Sequence, residues 1–78
     1  MSLTAQDLIN FLVERRKIAN VTEQTPLFSD GTIDSIGMID LITFIETKTG
    51  IAVDQADVTL ENFDTIERIL AFVQSKQR

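Results

Sequence analysis

Residues 30–46 read DGTIDSIGMIDLITFIE. Asp30-Gly31 is turn chemistry, and Asp34-Ser35 stands directly before the most apolar run of the chain. An acid and a serine at that point fit two readings: a helix cap, or a serine displayed for another protein to reach. On a helical wheel of about 100° per residue, Met38, Leu41, Ile42, Phe44 and Ile45 share one arc and form a core-facing stripe. The other side carries Asp40, Thr43, Glu46 and Thr47, as a solvated face should, together with Ile36 and Ile39. Two isoleucines on a polar face have two explanations. Either the preceding loop covers them, or they form a small apolar contact patch flanked by Asp34, Asp40 and Glu46.

Two further segments have helical periodicity. Leu8, Phe11 and Leu12 fall at i, i+3 and i+4, with Ile9 and Val13 broadening the stripe. Thr4 followed by Asp7 is a variant of the capping box, and Arg15, Arg16 and Lys17 suit the negative end of the helix dipole. Near the C-terminus, Ile66, Ile69, Leu70 and Val73 repeat at i, i+3, i+4 and i+7, with Asp64 and Glu67 placed to cap them. Gly50 is placed to end the second helix, and DVTLENF over 57–63 predicts a short helical turn. Strand signals are weak, since Ile51-Ala52-Val53 is short and isolated. A long connection over residues 18–33 holds Thr25-Pro26 and Asp30-Gly31, and its apolar Leu27, Phe28 and Ile33 are expected to pin it to the helices. Phe11, Leu41, Ile45, Ile69 and Val73 are the expected core, with Phe28 as a lid.

Seventy-eight residues predict one domain spanning 1–78. Hydrophobic residues make up 44%, enough to fold. The chain has no cysteine and no histidine, so thiolate chemistry and the usual base of a serine nucleophile are both missing. Lys48, the nearest lysine after Ser35, falls three to four turns along the same helix. The glycines form no phosphate loop, and Gly31 stands in the wrong place for an EF-hand. Catalysis and metal binding by this chain are therefore not expected. No run approaches the roughly 20 apolar residues of a membrane span, and the N-terminus lacks a signal-peptide pattern, which gives a cytoplasmic expectation. The net charge of −5 is concentrated: residues 30–67 hold nine acids and one base. That distribution disfavours nucleic acid and favours a partner with a basic patch.

The stretch Asp30-Gly31-Thr32-Ile33-Asp34-Ser35-Ile36 resembles the D-S-L-type motif of acyl carrier proteins. The resemblance extends over nearly the whole chain: a first helix, a loop with Thr25-Pro26-Leu27, the Asp-Ser start of the second helix, and a last helix after Asn62-Phe63-Asp64. It implies an all-α fold, a small bundle of three main helices and one short one. It implies that Ser35 carries 4′-phosphopantetheine taken from coenzyme A, with Asp34 as the adjacent motif residue. On that reading the chain shuttles acyl or amino-acyl thioesters and is a monomer, a substrate of other enzymes. Its partners would be a phosphopantetheinyl transferase, a loading ligase and acyl-processing enzymes, met through Ile36, Ile39, Asp40 and Glu46. The chain lacks the glycine pair and G-x-S pattern of peptidyl carriers, so the resemblance leans to freestanding acyl carriers. Gly37, Thr47 and Lys48 stand where fatty-acid carriers often have acids, so a specialised carrier, in the same bracket as the D-alanyl carriers, stands as an alternative beside an ordinary fatty-acid carrier. An unmodified helical interaction module is the alternative.

Overall fold

The computed structural model describes residues 3–76; the ends of the expected 1–78 domain lie outside the described residues. Helix α1 spans Ala5–Asn10 and continues as a π-helical turn over Phe11–Arg15; α2 spans Ser35–Thr49, a 3₁₀ turn Gln55–Asp57, α3 Leu60–Phe63 and α4 Ile66–Lys76. Among the described residues there is no strand, and Ile51–Val53 is irregular. This is the all-α arrangement of three main helices and one short helix.

Each boundary has a local cause. Thr4 Oγ1 accepts from the Asp7 N–H at 3.1 Å and Asp7 Oδ2 accepts from the Thr4 N–H at 3.1 Å, a reciprocal capping box. That bond from Thr4 N–H, despite some desolvation, holds the Asp7 carboxyl below the ordinary aspartate range. The π turn is not signalled by the spacing of Phe11 and Leu12. It closes through Ile18 N–H donating to Leu12 C=O at 3.0 Å, with Lys17 left-handed at φ 59°. That bond reaches one carbonyl further back than in an ordinary Schellman motif, as a wider final turn requires. Gly50, left-handed at φ 75°, ends α2 as its position implied, and its N–H donates to Glu46 C=O.

The core joins all the helices. Leu8, Leu12, Leu27, Leu41, Ile45, Phe63, Ile66 and Ile69 are fully buried, with Phe11, Ile33, Phe72 and Val73 nearly so. The five expected core residues are all present. Phe72 was not in that set; it packs on Phe63 with ring centroids 5.3 Å apart. Phe28 is only half-buried, and the loop's main anchors are Leu27 and Ile33, each contributing about 1.5–3 kcal/mol on burial.

The expected cap of α4 is corrected by the structure. Thr65 Oγ1 accepts from the Arg68 N–H at 3.1 Å, whereas Asp64 closes the end of α3 and turns away. Its Oδ1 accepts from the N–H groups of Phe28 and Ser29 at 3.1 and 3.0 Å, and its Oδ2 from the Ser29 hydroxyl at 3.0 Å. Its backbone carbonyl accepts from Leu27 N–H at 2.6 Å. Nor does Glu67 complete a box: its N–H donates to Glu23 C=O, and its carboxylate takes the Gln24 side-chain amide at 3.4 Å. The residue after a four-residue helix faces the loop, so the carboxylate serves the loop's orphan donors instead of α4's.

The Ser29 N–H above all, then the Phe28 N–H and the Ser29 hydroxyl, hold the Asp64 carboxyl below its ordinary 3.8 against the opposing effect of desolvation. A lowered folded-state pKa stabilises above the unfolded value, and that contribution is lost as pH falls through the folded value. Asp64→Asn should therefore lower the melting temperature at pH 7 by about 4–8 °C. The gap to wild type should close as pH drops below about 4. Parallel thermal melts from pH 7 to pH 2.5 check both points, and a gap independent of pH would contradict them.

Candidate functional site

The loop delivers Ser35 through a short series of bonds. Gly31, at φ 80°, closes a turn by donating its N–H to Phe28 C=O at 3.1 Å. Asp30 Oδ1 accepts from the Thr32 N–H at 3.0 Å. Ile33 N–H donates to Leu27 C=O at 2.8 Å while its side chain enters the core. Asp34 then caps α2, its Oδ1 accepting from Gly37 N–H at 2.8 Å. The cap is thus Asp34, and Ser35 is the first helical residue with its side chain free of that duty.

Ser35 is exposed, and its hydroxyl has no hydrogen-bond partner among the described residues. The other described serines are occupied: Ser29 donates to Asp64 Oδ2, and Ser75 donates to Phe72 C=O at 2.9 Å. The first N–H groups of a 15-residue helix also lie at Ser35, so negative charge attached to its hydroxyl meets a favourable partial positive charge. The residues present therefore fit an anionic diester on Ser35. They do not fit catalysis by Ser35 itself. Lys48 lies thirteen residues along α2, about 20 Å away at helical rise, and pairs with Asp7 at 4.0 Å.

The other predicted site residues divide. Ile36 and Ile39 are 71% and 66% exposed, so the loop does not cover them. They stand one turn apart beside Ser35 and form an apolar face. Asp40 is half-buried, with Oδ2 3.4 Å from Arg15 Nε and 3.5 Å from Arg16 Nη1. Glu46 accepts from the Val53 N–H at 2.8 Å and so holds the chain after α2. Asp34 is exposed beside Ser35.

Sequence reasoning missed two residues. By sequence Arg16 suits the helix end; in the structure its guanidinium crosses to α2, where Nη2 lies 4.0 Å from Asp34 Oδ1. It lines a small polar cavity of about 150 Å³ with Ile18, Gly31, Thr32, Ile33 and Asp34. Gly37, which by sequence stands where an acid is common, is a close approach. A Cβ there would lie 2.7 Å from Ile33 Cγ2 and 3.2 Å from an Arg16 guanidinium nitrogen. A glycine in the first turn of a helix, costing about 1 kcal/mol against alanine, was the available signal.

The described residues form a small helical bundle with Ser35, exposed and unbonded, at the start of α2 beside the apolar face of Ile36 and Ile39. Residues 3–73 match the family described as "Phosphopantetheine attachment site", and the chain belongs to that family, whose members carry 4′-phosphopantetheine. It is 34% identical over 58 residues to an acyl carrier protein of Thermotoga maritima, covering 74% of this chain and 69% of that protein. It is 31% identical to the "Probable acyl carrier protein PigG" of a Serratia species, over 65% of this chain and 59% of that one. It is 32% identical to a D-alanyl carrier protein of Abiotrophia defectiva, over 64% of this chain and 63% of that one. The chain therefore has a carrier role. No described helix is long and apolar enough to cross a membrane.

Gly37→Ala sets overpacking against a gain in helix propensity. The nearest atom is a methyl of the buried, β-branched Ile33, which has little room to yield. The expected result is a net loss of about 1–2 kcal/mol by denaturant unfolding, with amide shifts centred on Ile33 and Arg16. An unchanged or raised stability would show that the loop gives way freely.

Proposed function

We propose that Ser35 is the attachment residue and that this chain shuttles acyl or amino-acyl groups, as thioesters on the arm, between enzymes of a biosynthetic pathway. The observation that carries this is the exposed, unbonded hydroxyl of Ser35 at the first position of α2. On this reading Ser35 Oγ forms a bond to phosphorus as the pyrophosphate bond of coenzyme A breaks. The leaving adenosine bisphosphate takes the electron pair, and a base on the transferase takes the hydroxyl proton. The arm supplies the thiol that this cysteine-free chain lacks. Chemistry on the thioester belongs to the partner enzymes, and this chain acts as a monomeric, non-catalytic, cytoplasmic carrier forming one domain.

The names of the relatives support both acyl and D-alanyl cargo. The departures at Gly37, Thr47 and Lys48 support a specialised carrier loaded by a dedicated ligase. A short or small cargo, or one held on the surface, suits the closely packed side chains below Ser35. An open groove of about 400 Å³ between α1 and α2, floored by the stacked Phe11 and Phe44, is available on the surface.

Incubation with coenzyme A and a broad-specificity phosphopantetheinyl transferase tests the attachment. Intact-protein mass spectrometry should show one phosphopantetheinyl gain, mapped to Ser35 and absent from Ser35→Ala. A gain on Ser29 or Ser75, or loading of the Ala variant, sinks the assignment. The absence of any gain would favour the unmodified interaction module, which the exposed Ile36 and Ile39 would also serve.

We assign partner docking to Ile36 and Ile39, with Asp34, Asp40 and Glu46 as the acidic rim. Asp40 and Glu46 already have partners within the chain, so they contribute by sharing them. Ile39→Glu removes apolar contact without opening the core. It should slow transferase loading by about tenfold or more, equivalent to roughly 1.4 kcal/mol, and leave the melting temperature within a few degrees. Loading at the wild-type rate would move docking away from this face.

A further inference from the structure

We propose that Asp30-Gly31 is a self-modification site, at which the chain converts Asp30 to isoaspartate and so loosens the loop that leads into α2. Asp30 is the only aspartate of the sequence followed by glycine. A side chain on the following residue crowds its amide nitrogen, and glycine leaves that nitrogen open to attack the neighbouring carboxyl. The structure keeps the space clear. Asp30 and Gly31 are both exposed, and a Cβ on Gly31 would meet nothing within 4 Å. Asp30 Oδ1 accepts from the Thr32 N–H at 3.0 Å and from the Thr32 hydroxyl, so the carboxyl curls back over the peptide unit that carries the Gly31 nitrogen. The step needs no co-reactant but water. The Gly31 nitrogen bonds to Cγ of the protonated carboxyl, and the N–H proton and the carboxyl OH leave as water, closing an imide. Water then adds at the main-chain carbonyl carbon of Asp30, and that carbon's bond to the Gly31 nitrogen breaks. The product has the parent's mass, a free α-carboxyl, and one extra methylene in the main chain.

One hydrogen bond restrains the reaction. The Gly31 N–H donates to Phe28 C=O at 3.1 Å, which engages the nucleophile while the turn is closed. Phe28 is itself tied down: its N–H donates to Asp64 Oδ1 at 3.1 Å, beside the Ser29 N–H and hydroxyl on the same carboxylate. How often the Asp64 anchor lets this turn open therefore sets the rate. The product cannot rebuild the turn. The loop is fixed before the site by Asp64 and after it by the Ile33 N–H donating to Leu27 C=O at 2.8 Å. An extra methylene between Asp30 and Gly31 breaks the match between those two fixed points and moves the carboxyl that held Thr32. Ile33, Asp34 and Ser35 follow directly, so their placement loosens. Slower loading by the transferase is the functional consequence, and that consequence rests on the Ser35 reading above, whereas the isomerisation does not.

The test ages the apo protein at physiological temperature and neutral pH. Isoaspartate is followed by labelling with an isoaspartyl methyltransferase and by mapping the peptide that spans Asp30. Wild type should gain isoaspartate at Asp30 ahead of every other aspartate, through an intermediate one water lighter. Asp64→Asn should gain it about fivefold faster or more, and Ser29→Ala by a smaller factor, since that change removes only the hydroxyl bond. Asp30→Ser can still accept from the Thr32 N–H but closes no imide. It should gain no isoaspartate at this position and keep its own starting loading rate through the same ageing, while wild type loses loading in step with its isoaspartate content. Aged wild type without isoaspartate at Asp30, or one rate in wild type and Asp64→Asn, overturns the proposal. Isoaspartate at Asp30 with loading undiminished overturns the loosening of Ser35. Fresh wild type that gains no phosphopantetheinyl mass overturns the Ser35 reading, and the isoaspartate assay then decides the isomerisation by itself. Should Asp64→Asn not fold, the comparison is made with Ser29→Ala.

Discussion

The carboxylate of Asp64 holds the connection on which the rest of the molecule depends. A long loop has more backbone donors than its own turns can satisfy, and a buried loop would leave them orphaned. Asp64 accepts from Phe28, from Ser29 and from the Ser29 hydroxyl, while its own carbonyl takes Leu27. With those donors fixed, Leu27 and Ile33 enter the core from one strand of loop, six residues apart. Ile33 in turn fixes where Asp34 caps α2 and hence where Ser35 stands. A carboxylate between α3 and α4, far along the chain, thereby sets the position of Ser35.

Helix α2 does two jobs with one sequence. Leu41 and Ile45 are fully buried, whereas Ile36 and Ile39 stay in water at the opposite side. Leaving two isoleucines exposed forgoes about 1.5–3 kcal/mol each of possible burial. Apolar surface left uncovered in this way, beside a free hydroxyl, is what a transient partner can use. Gly37 belongs to the same compromise: it gives up helix propensity so that Ile33 and Arg16 can lie against the first turn.

The acidic surplus of the middle of the chain is less open than its count implies. Asp40 is engaged by Arg15 and Arg16, Glu46 by Val53 N–H, Asp57 by Lys76 at 3.2 Å, and Asp64 by the loop. These groups organise the fold before they meet any partner. Asp34 differs, since it caps α2 with one oxygen and remains exposed beside Ser35.

The sequence by itself determined the helices, their order and the candidate serine. Spacing at i, i+3 and i+4 marked the buried stripes of α1, α2 and α4; Thr4-Asp7 and Gly50 marked ends that form as local chemistry dictates. Ile36 and Ile39 were placed off the core face by helical angle alone, and the motif around Ser35 carried the family. What these signals share is that they act within a few residues. Only the tertiary structure decided that Asp64 serves Ser29 and Phe28 instead of α4, a bond spanning 35 residues or more. It also decided that Leu27 outranks Phe28 as the anchor, that α1 ends in a π turn, and that Arg16 and Gly37 meet over the first turn of α2. Each of those depends on which backbone donor or side chain another segment brings within reach, and local spacing carries no record of that.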